Sequence, residues 1–184
     1  MTTPTPTYIA KRFEASSPDA KVLGAAFVAF FQNVRKDVVT DVMKQLGLET
    51  IDPDAWYPQQ TFLNFYKVAE TDSSMMNDSF VAIGMKFVDT IPFPEDVETI
   101  QEALHALNAM NEQIHQNTPP EECYIIEDES DNSIIVKYNM PYHEDAAYGY
   151  LWGIARRFSP QGFEVIPIHD EVDDAPFAFR VQYS

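Results

Sequence analysis

The hydrophobic repeat of this chain changes period at Thr118-Pro119-Pro120. Before that point apolar residues recur every three or four positions, as on one face of a helix; after it they alternate, as on one face of a strand. A chain whose helical patterning gives way to extended runs, with one further helix among them, must pack a helical layer against a sheet. Downstream, residues 123–127 and 134–138 are β-rich runs joined by the polar turn Asp128 to Ser133. A helix is predicted over 144–158, followed by strands at 163–168 and 177–183 around the acidic loop 170–174. In the last strand Phe177, Phe179, Val181 and Tyr183 alternate with Ala178, Arg180, Gln182 and Ser184, which predicts a sheet buried on one face. The fold class is therefore α+β: N-terminal helices followed by a ββαββ unit with an antiparallel sheet.

Upstream, residues 1–18 are rich in Thr, Pro and Ser, with Tyr8, Ile9 and Phe13 as the sizeable anchors, and read as a flexible arm. From residue 19, Val22, Leu23, Ala26, Phe27, Phe30 and Phe31 predict a buried helix face, which Val34, Val38, Val39, Val42, Met43 and Leu46 continue to Gly47 as one bent helix or two. Asp52-Pro53-Asp54-Ala55-Trp56-Tyr57-Pro58 predicts a turn into a helix carrying Phe62, Leu63, Phe65, Tyr66 and Ala69. After a polar break at 71–74, Phe80, Ile83, Gly84, Phe87, Val88 and Ile91 mark another helix, ended by Pro92-Phe93-Pro94. The longest helix is predicted over 95–115, with acids at its start as the helix dipole favours.

A length of 184 residues suits one core, so residues 19–184 are expected to form a single ligand-binding-like α+β domain. The formal charge of −17 repels nucleic acid and anionic lipid, which excludes roles on either. No apolar run reaches the roughly 18 residues of a membrane span, and the N-terminus lacks a basic start followed by an apolar stretch, so a cytoplasmic protein is expected. Cys123 is the only cysteine, which leaves no internal disulfide and no thiolate cage for a metal.

The segment from Met140 to Phe158 has a strand exit, a helix start and two glycines inside the helix. Each helical glycine costs about 0.5–1 kcal/mol relative to alanine. Gly149 and Gly153 thus imply close approach, either by another backbone or by a ligand. Pro141-Tyr142, Asp145, Gly149 and the run from Gly153 to Phe158 resemble the C-terminal signature of the 4-vinyl reductase-like and haem nitric-oxide-binding-like superfamily of bacterial sensor-type domains. Trp56-Tyr57-Pro58, Gly84, Pro92-Phe93-Pro94 and Ile100 to Leu104 are similar to its upstream pattern, so that the resemblance covers residues 20–184. It implies N-terminal helices, a C-terminal antiparallel sheet, frequent dimerisation and the binding of small hydrophobic ligands in sensing. Where relatives read Pro-Tyr-Pro-Cys-Asp, this chain has His143 and Glu144, so thiolate chemistry is not carried over.

Haem ligation needs a histidine on a helix beside an apolar pocket, and His105, between Leu104 and Leu107, is the candidate. The Tyr-x-Ser-x-Arg signature that holds haem propionates in that family is absent, and the expectation is of no cofactor, with haem as the lesser alternative. His115 is read as a helix C-terminal residue favouring the local dipole. His143, Glu144, His169 and Asp170 could converge as a metal or acid–base site, against the plainer reading of a helix cap and a strand end. The loop 170–174 lacks the oxygen spacing of a calcium loop and reads as a solvated turn. Arg156-Arg157 either pairs with nearby acids or meets an anionic ligand head. No phosphate loop, nucleophile elbow or Ser-His-Asp order is visible.

The expected function is thus a non-enzymatic binding or sensory domain for a small hydrophobic ligand, without catalytic or metal residues, acting through a homodimer or a signalling partner protein. The pocket candidates are Trp56, Phe62, Phe65, Tyr66, His105, Tyr142, Tyr148, Gly149, Trp152, Gly153 and Arg156. The alternatives are a structural subunit forming a homodimer, and a haem-based gas sensor or His/carboxylate metal site.

Overall fold

A computed structural model describes residues 8–32, 36–71, 79–159, 161–168 and 175–184. Its core is mixed helix and antiparallel sheet. The elements run β1 (Lys21–Leu23), α1 (Gly24–Phe31), α2 (Lys36–Gln45), β2 (Trp56–Pro58), α3 (Gln59–Thr71), α4 (Phe80–Thr90), α5 (Ile100–His105), α6 (Leu107–Ile114), β3 (His115–Gln116), β4 (Tyr124–Ser130), β5 (Ser133–Tyr138), α7 (Glu144–Phe158), β6 (Phe163–Pro167) and β7 (Phe177–Tyr183). The larger sheet has the order β4-β5-β7-β6, all antiparallel, with Val136 paired to Ile126 on one side and Phe179 on the other.

The helical half contains a second sheet that the hydrophobic period does not predict. Three short strands, in the order β2-β1-β3, bring Val22 opposite both Tyr57 and His115. Val22 and Leu23 fit a helix period equally well, but as β1 they precede the helix, and fully buried Val22 sits at the centre of this sheet. Trp56 to Pro58 likewise form β2 and not the first turn of α3. The long helix predicted over 95–115 is shorter and divided. It starts at Ile100 because Thr99 and Glu102 form a capping box: the Thr99 hydroxyl accepts from the Glu102 N–H at 3.2 Å, and the Glu102 carboxylate accepts from the Thr99 N–H at 2.9 Å. The N–H groups of Glu98 and Thr99, both donating to it, hold the Glu102 carboxyl below its usual range. At Ala106 the helix passes from α5 to α6, and His115 leaves it in an extended conformation.

One contiguous core joins the two halves. Between α1 and α3 the rings of Phe27 and Phe62 lie 4.3 Å apart, Phe30 and Tyr66 4.7 Å, and Phe31 and Phe65 4.6 Å. Each such ring contributes about 1.5–3 kcal/mol by burial. The residues of the expected arm that are described lie docked on this core. The Phe13 N–H donates to the Pro141 carbonyl at 2.7 Å, the Ala10 N–H donates to Asn139 Oδ1 at 2.8 Å, and Arg12 pairs with Glu70 at 2.5 Å and Glu144 at 3.2 Å. Phe13 accepts a left-handed φ of 59° to bury its ring beside Tyr66. Among the described residues no helix is long and apolar enough to cross a membrane. Residues 1–7, Val34, the polar break after Thr71, His169 and the loop 170–174 lie outside the described residues.

The choice left open for the helix glycines falls to packing. A Cβ on Gly149 would overlap the Val81 carbonyl of α4, one on Gly84 would overlap the Ala146 carbonyl of α7, and one on Gly153 would lie 2.7 Å from Val88 Cγ2. Gly149→Ala should therefore destabilise the fold by about 1–3 kcal/mol despite alanine's better helix propensity. Chemical denaturation checks this, and an unchanged or raised midpoint would refute the backbone contact.

Candidate functional site

A cavity of about 360 Å³ lies between the two sheets and the helices, within the range of small-molecule sites. β1 and α1 supply Val22, Ala26, Ala29 and Phe30; α3 supplies Phe62 and Tyr66; α4 supplies Ile83, Gly84 and Phe87. Opposite them stand Leu107, Met110, Asn111 and Ile114 of α6, His115 of β3, Tyr124 of β4 and Tyr138 of β5. Ala146, Ala147 and Tyr150 of α7 close the wall, and the small side chains of Ala146 and Ala147 leave the space open. Beyond β5, Met140 and Tyr142 keep the inward alternation of Tyr138 and line the cavity too.

The polar groups of this wall are tyrosines and one histidine. His115 Nδ1 lies 3.1 Å from the Asn111 carbonyl, which can only accept, so Nδ1 carries the proton. Nε2 is then the acceptor for the Tyr142 hydroxyl, 2.6 Å away. Gln59 Nε2 donates to Tyr142 Oη at 3.2 Å and to Glu122 Oε1 at 2.5 Å, and the Tyr8 hydroxyl reaches Glu122 Oε2 at 3.4 Å. Burial lowers the pKa of His115 to about 4, against a weaker opposing pull from its bond to Asn111, and so keeps the ring neutral. Burial likewise pushes the Glu122 carboxyl up, with the bond from Gln59 opposing.

Four further tyrosines, Tyr66, Tyr124, Tyr138 and Tyr150, line the cavity with at least nine-tenths of their surface buried. None of their hydroxyls is hydrogen-bonded among the described residues, whereas Tyr142 has two partners. Burial raises the pKa of all five, and neighbouring tyrosines raise those of Tyr124, Tyr138 and Tyr142 further.

Of the residues proposed from sequence, the structure brings Phe62, Tyr66 and Tyr142 to the cavity wall. Trp56 is part of β2, and Phe65 is buried edge-on against Phe30 and Phe31. Tyr148 and Trp152 face the large sheet, beside Phe179 and Phe163. Gly149 and Gly153 face α4, and the Arg156 guanidinium lies 5.5 Å from the centre of the Trp152 ring. His105 is half exposed at the end of α5, with Nε2 3.0 Å from Asp128 Oδ1, and does not line the cavity. Arg157 donates to the Val88 carbonyl, while the acids Glu70 and Glu144 are met by Arg12.

His143 is the N-cap of α7. Its Nδ1 accepts from the Asp145 N–H at 3.1 Å and its ring stacks on Phe80 at 4.0 Å. No group of three potential metal ligands occurs among the described residues. Cys123 is part-buried, and burial followed by the nearby Glu121 pushes its thiol up, away from thiolate reactivity. Sequence reasoning missed His115, Tyr124, Tyr138 and Tyr150. The one available signal was the spacing of Tyr138, Met140 and Tyr142, which continues a strand face beyond the strand's end.

No protein-family model matches this sequence, and no curated protein matches it significantly. Solved structures of H-NOX domains, however, share its fold. An oxygen-binding H-NOX domain related to soluble guanylate cyclases, in its oxygen complex, is 18% identical with a TM-score of 0.62, over 88% of this chain and 92% of that one. A point mutant of the T. Tengcongensis H-NOX is 16% identical with a TM-score of 0.63, over 88% and 98%. An H-NOX structure probing haem distortion is 18% identical with a TM-score of 0.64, over 88% and 94%. These likenesses carry the haem nitric-oxide-binding-like half of the resemblance and do not bear on its 4-vinyl reductase-like half. They also overturn the expectation of no cofactor, because haem is what these neighbours of the same fold are studied for.

The depressed pKa of His115 has a sign that can be tested. The unfolded ring takes a proton near pH 6.5 and the folded ring only near 4, so its contribution to stability is present above pH 6.5 and is lost as pH falls through about 4. Stability should drop over that window by up to about 1.4 kcal/mol per pH unit. His115→Gln should flatten the drop in melts recorded between pH 7 and 4, and an identical pH profile would contradict the buried neutral ring.

Proposed function

We propose that this chain is a non-enzymatic sensor domain that holds haem in its interior cavity, with His115 as the iron ligand. The observation that carries the reading is the setting of His115. Its Nδ1–H is tied to a backbone carbonyl, as in metal-ligating histidines, which orients the ring at the cavity wall and leaves Nε2 as the acceptor, held by the Tyr142 hydroxyl. Burial keeps that ring neutral, the protonation state in which it can ligate. The donor chemistry therefore fits an iron-ligating histidine, for which the Tyr142 hydroxyl would have to release Nε2. The apolar wall of Val22, Ala26, Phe30, Ile83 and Leu107 would enclose the macrocycle and exclude water.

What haem supplies when bound is an iron with room for a small diatomic gas. The chain's own part is to ligate through His115 and to keep the site dry. No lysine or arginine lines the cavity among the described residues, so the wall offers no counter-charge to the haem carboxylates. The likeness to H-NOX domains, one of them oxygen-binding and another studied for haem distortion, supports this reading at the level of the fold. Relay to a signalling partner protein belongs to the same proposal. The homodimer rests on the sequence resemblance alone.

Titration of the purified protein with hemin is expected to give a saturable Soret band at one haem per chain. His115→Ala should weaken binding by tenfold or more and shift the band towards that of unligated hemin, while His105→Ala should leave it unchanged. An unsaturable titration, or sensitivity to His105 in place of His115, would remove the assignment.

A further inference from the structure

The tyrosine hydroxyls of the cavity are the largest set of buried polar groups that the haem reading does not use. Buried hydroxyls are normally hydrogen-bonded, since leaving one unpaired forfeits its interaction with water. Here Tyr66, Tyr124, Tyr138 and Tyr150 come from four different elements, α3, β4, β5 and α7, and converge on one cavity without a partner among the described residues. Each residue is at least nine-tenths buried and lines the cavity, so a molecule held there is the partner within their reach. Packing does not explain the pattern, because phenylalanine would fill the same volume without the unpaired oxygen.

The charge of the wall narrows the class of partner. No cationic side chain lines the cavity among the described residues, and buried Glu122 lies behind Gln59 and Tyr142, so an anion would enter without a counter-charge. The chain as a whole carries −17. We propose that the tyrosine cluster is a recognition subsite for an uncharged, ring-shaped apolar molecule bearing carbonyl, ether or hydroxyl oxygens, to which the free phenols donate. This rests on reading the cavity as a ligand site, and not on haem being what fills it.

Isothermal titration with a matched set of ring probes tests the assignment: menadione, a neutral dicarbonyl; methylnaphthalene, its hydrocarbon counterpart; and naphthoate, an anion. The wild-type protein is expected to bind menadione about tenfold or more tighter than methylnaphthalene, the increment of one good hydrogen bond. Tyr124→Phe combined with Tyr138→Phe should erase that preference and leave the affinity for methylnaphthalene within about twofold. Tyr66→Phe and Tyr150→Phe, made singly, provide a second series with the same expectation if the double variant melts early. Equal binding of menadione and methylnaphthalene, a preference that survives in the phenylalanine variants, or tighter binding of naphthoate than of menadione would each overturn the proposal. Failure of hemin to bind where menadione binds would overturn the haem reading alone. Failure of all the probes would overturn the cavity as a ligand site, and this inference with it.

Discussion

The close approach of α4 to α7 organises the molecule. Gly84 on one helix and Gly149 and Gly153 on the other let backbone meet backbone, at a distance where a single Cβ would overlap a carbonyl. Once the two helices are fixed in this way, α7 has the rest of its circumference to share between two neighbours. Tyr148 and Trp152 turn to the large sheet, and Ala146, Ala147 and Tyr150 turn to the cavity. With alanines at two of those three inner positions, α7 leaves space between α4, α1 and α6. The cavity is therefore a consequence of where the small residues fall on one helix.

The same wall obeys an electrostatic constraint. An acidic chain that buries Glu122 must keep it from facing a second negative charge. It does so with Gln59, fully buried and donating to both Glu122 and Tyr142, and Tyr142 in turn donates to His115. The result is a line of hydrogen bonds from the docked N-terminal segment at Tyr8 to the imidazole at the cavity. In this line Tyr142 both accepts and donates, and His115 is left neutral. A protonated His115 would lie desolvated in an apolar surround, which is why its pKa falls.

Much of this architecture was legible in the residues, and the unread parts have physical reasons. α7 and β7 could be placed from their period and end signals, because an amphipathic helix with acids at its start and an alternating strand each carry a repeated signal. β1, β2 and β3 are two or three residues long, too short to show a period, and Val22-Leu23 reads equally well as the start of a helix. The helix start at Thr99 was present as a Thr-x-x-Glu capping box, yet the acids upstream made residue 95 look like the beginning. For the cavity, Phe62, Tyr66 and Tyr142 could be listed as aromatics but not separated from Phe65, Tyr148 and Trp152. Which face of a helix meets a hollow and which meets a sheet is decided by tertiary packing, on which composition is silent.

The two histidines of the α5–α6 region show why fold likeness and residue chemistry have to be weighed separately. His105 occupies a helix between two leucines, the setting that sequence logic favours for a haem ligand, but its ring turns outward to Asp128. His115, assigned from sequence to a helix end, leaves α6 in an extended conformation and so points its ring along the cavity. The fold shared with H-NOX domains supplies a cavity and a haem precedent, whereas the wall of this chain supplies an imidazole and four free phenols. A cavity of about 360 Å³ cannot place a macrocycle against His115 and a separate ring molecule against Tyr124 and Tyr138 at once. The two proposed occupants would therefore compete for one space. Any molecule that satisfies the phenols would act on the haem state by exclusion, without a second site or a conformational relay.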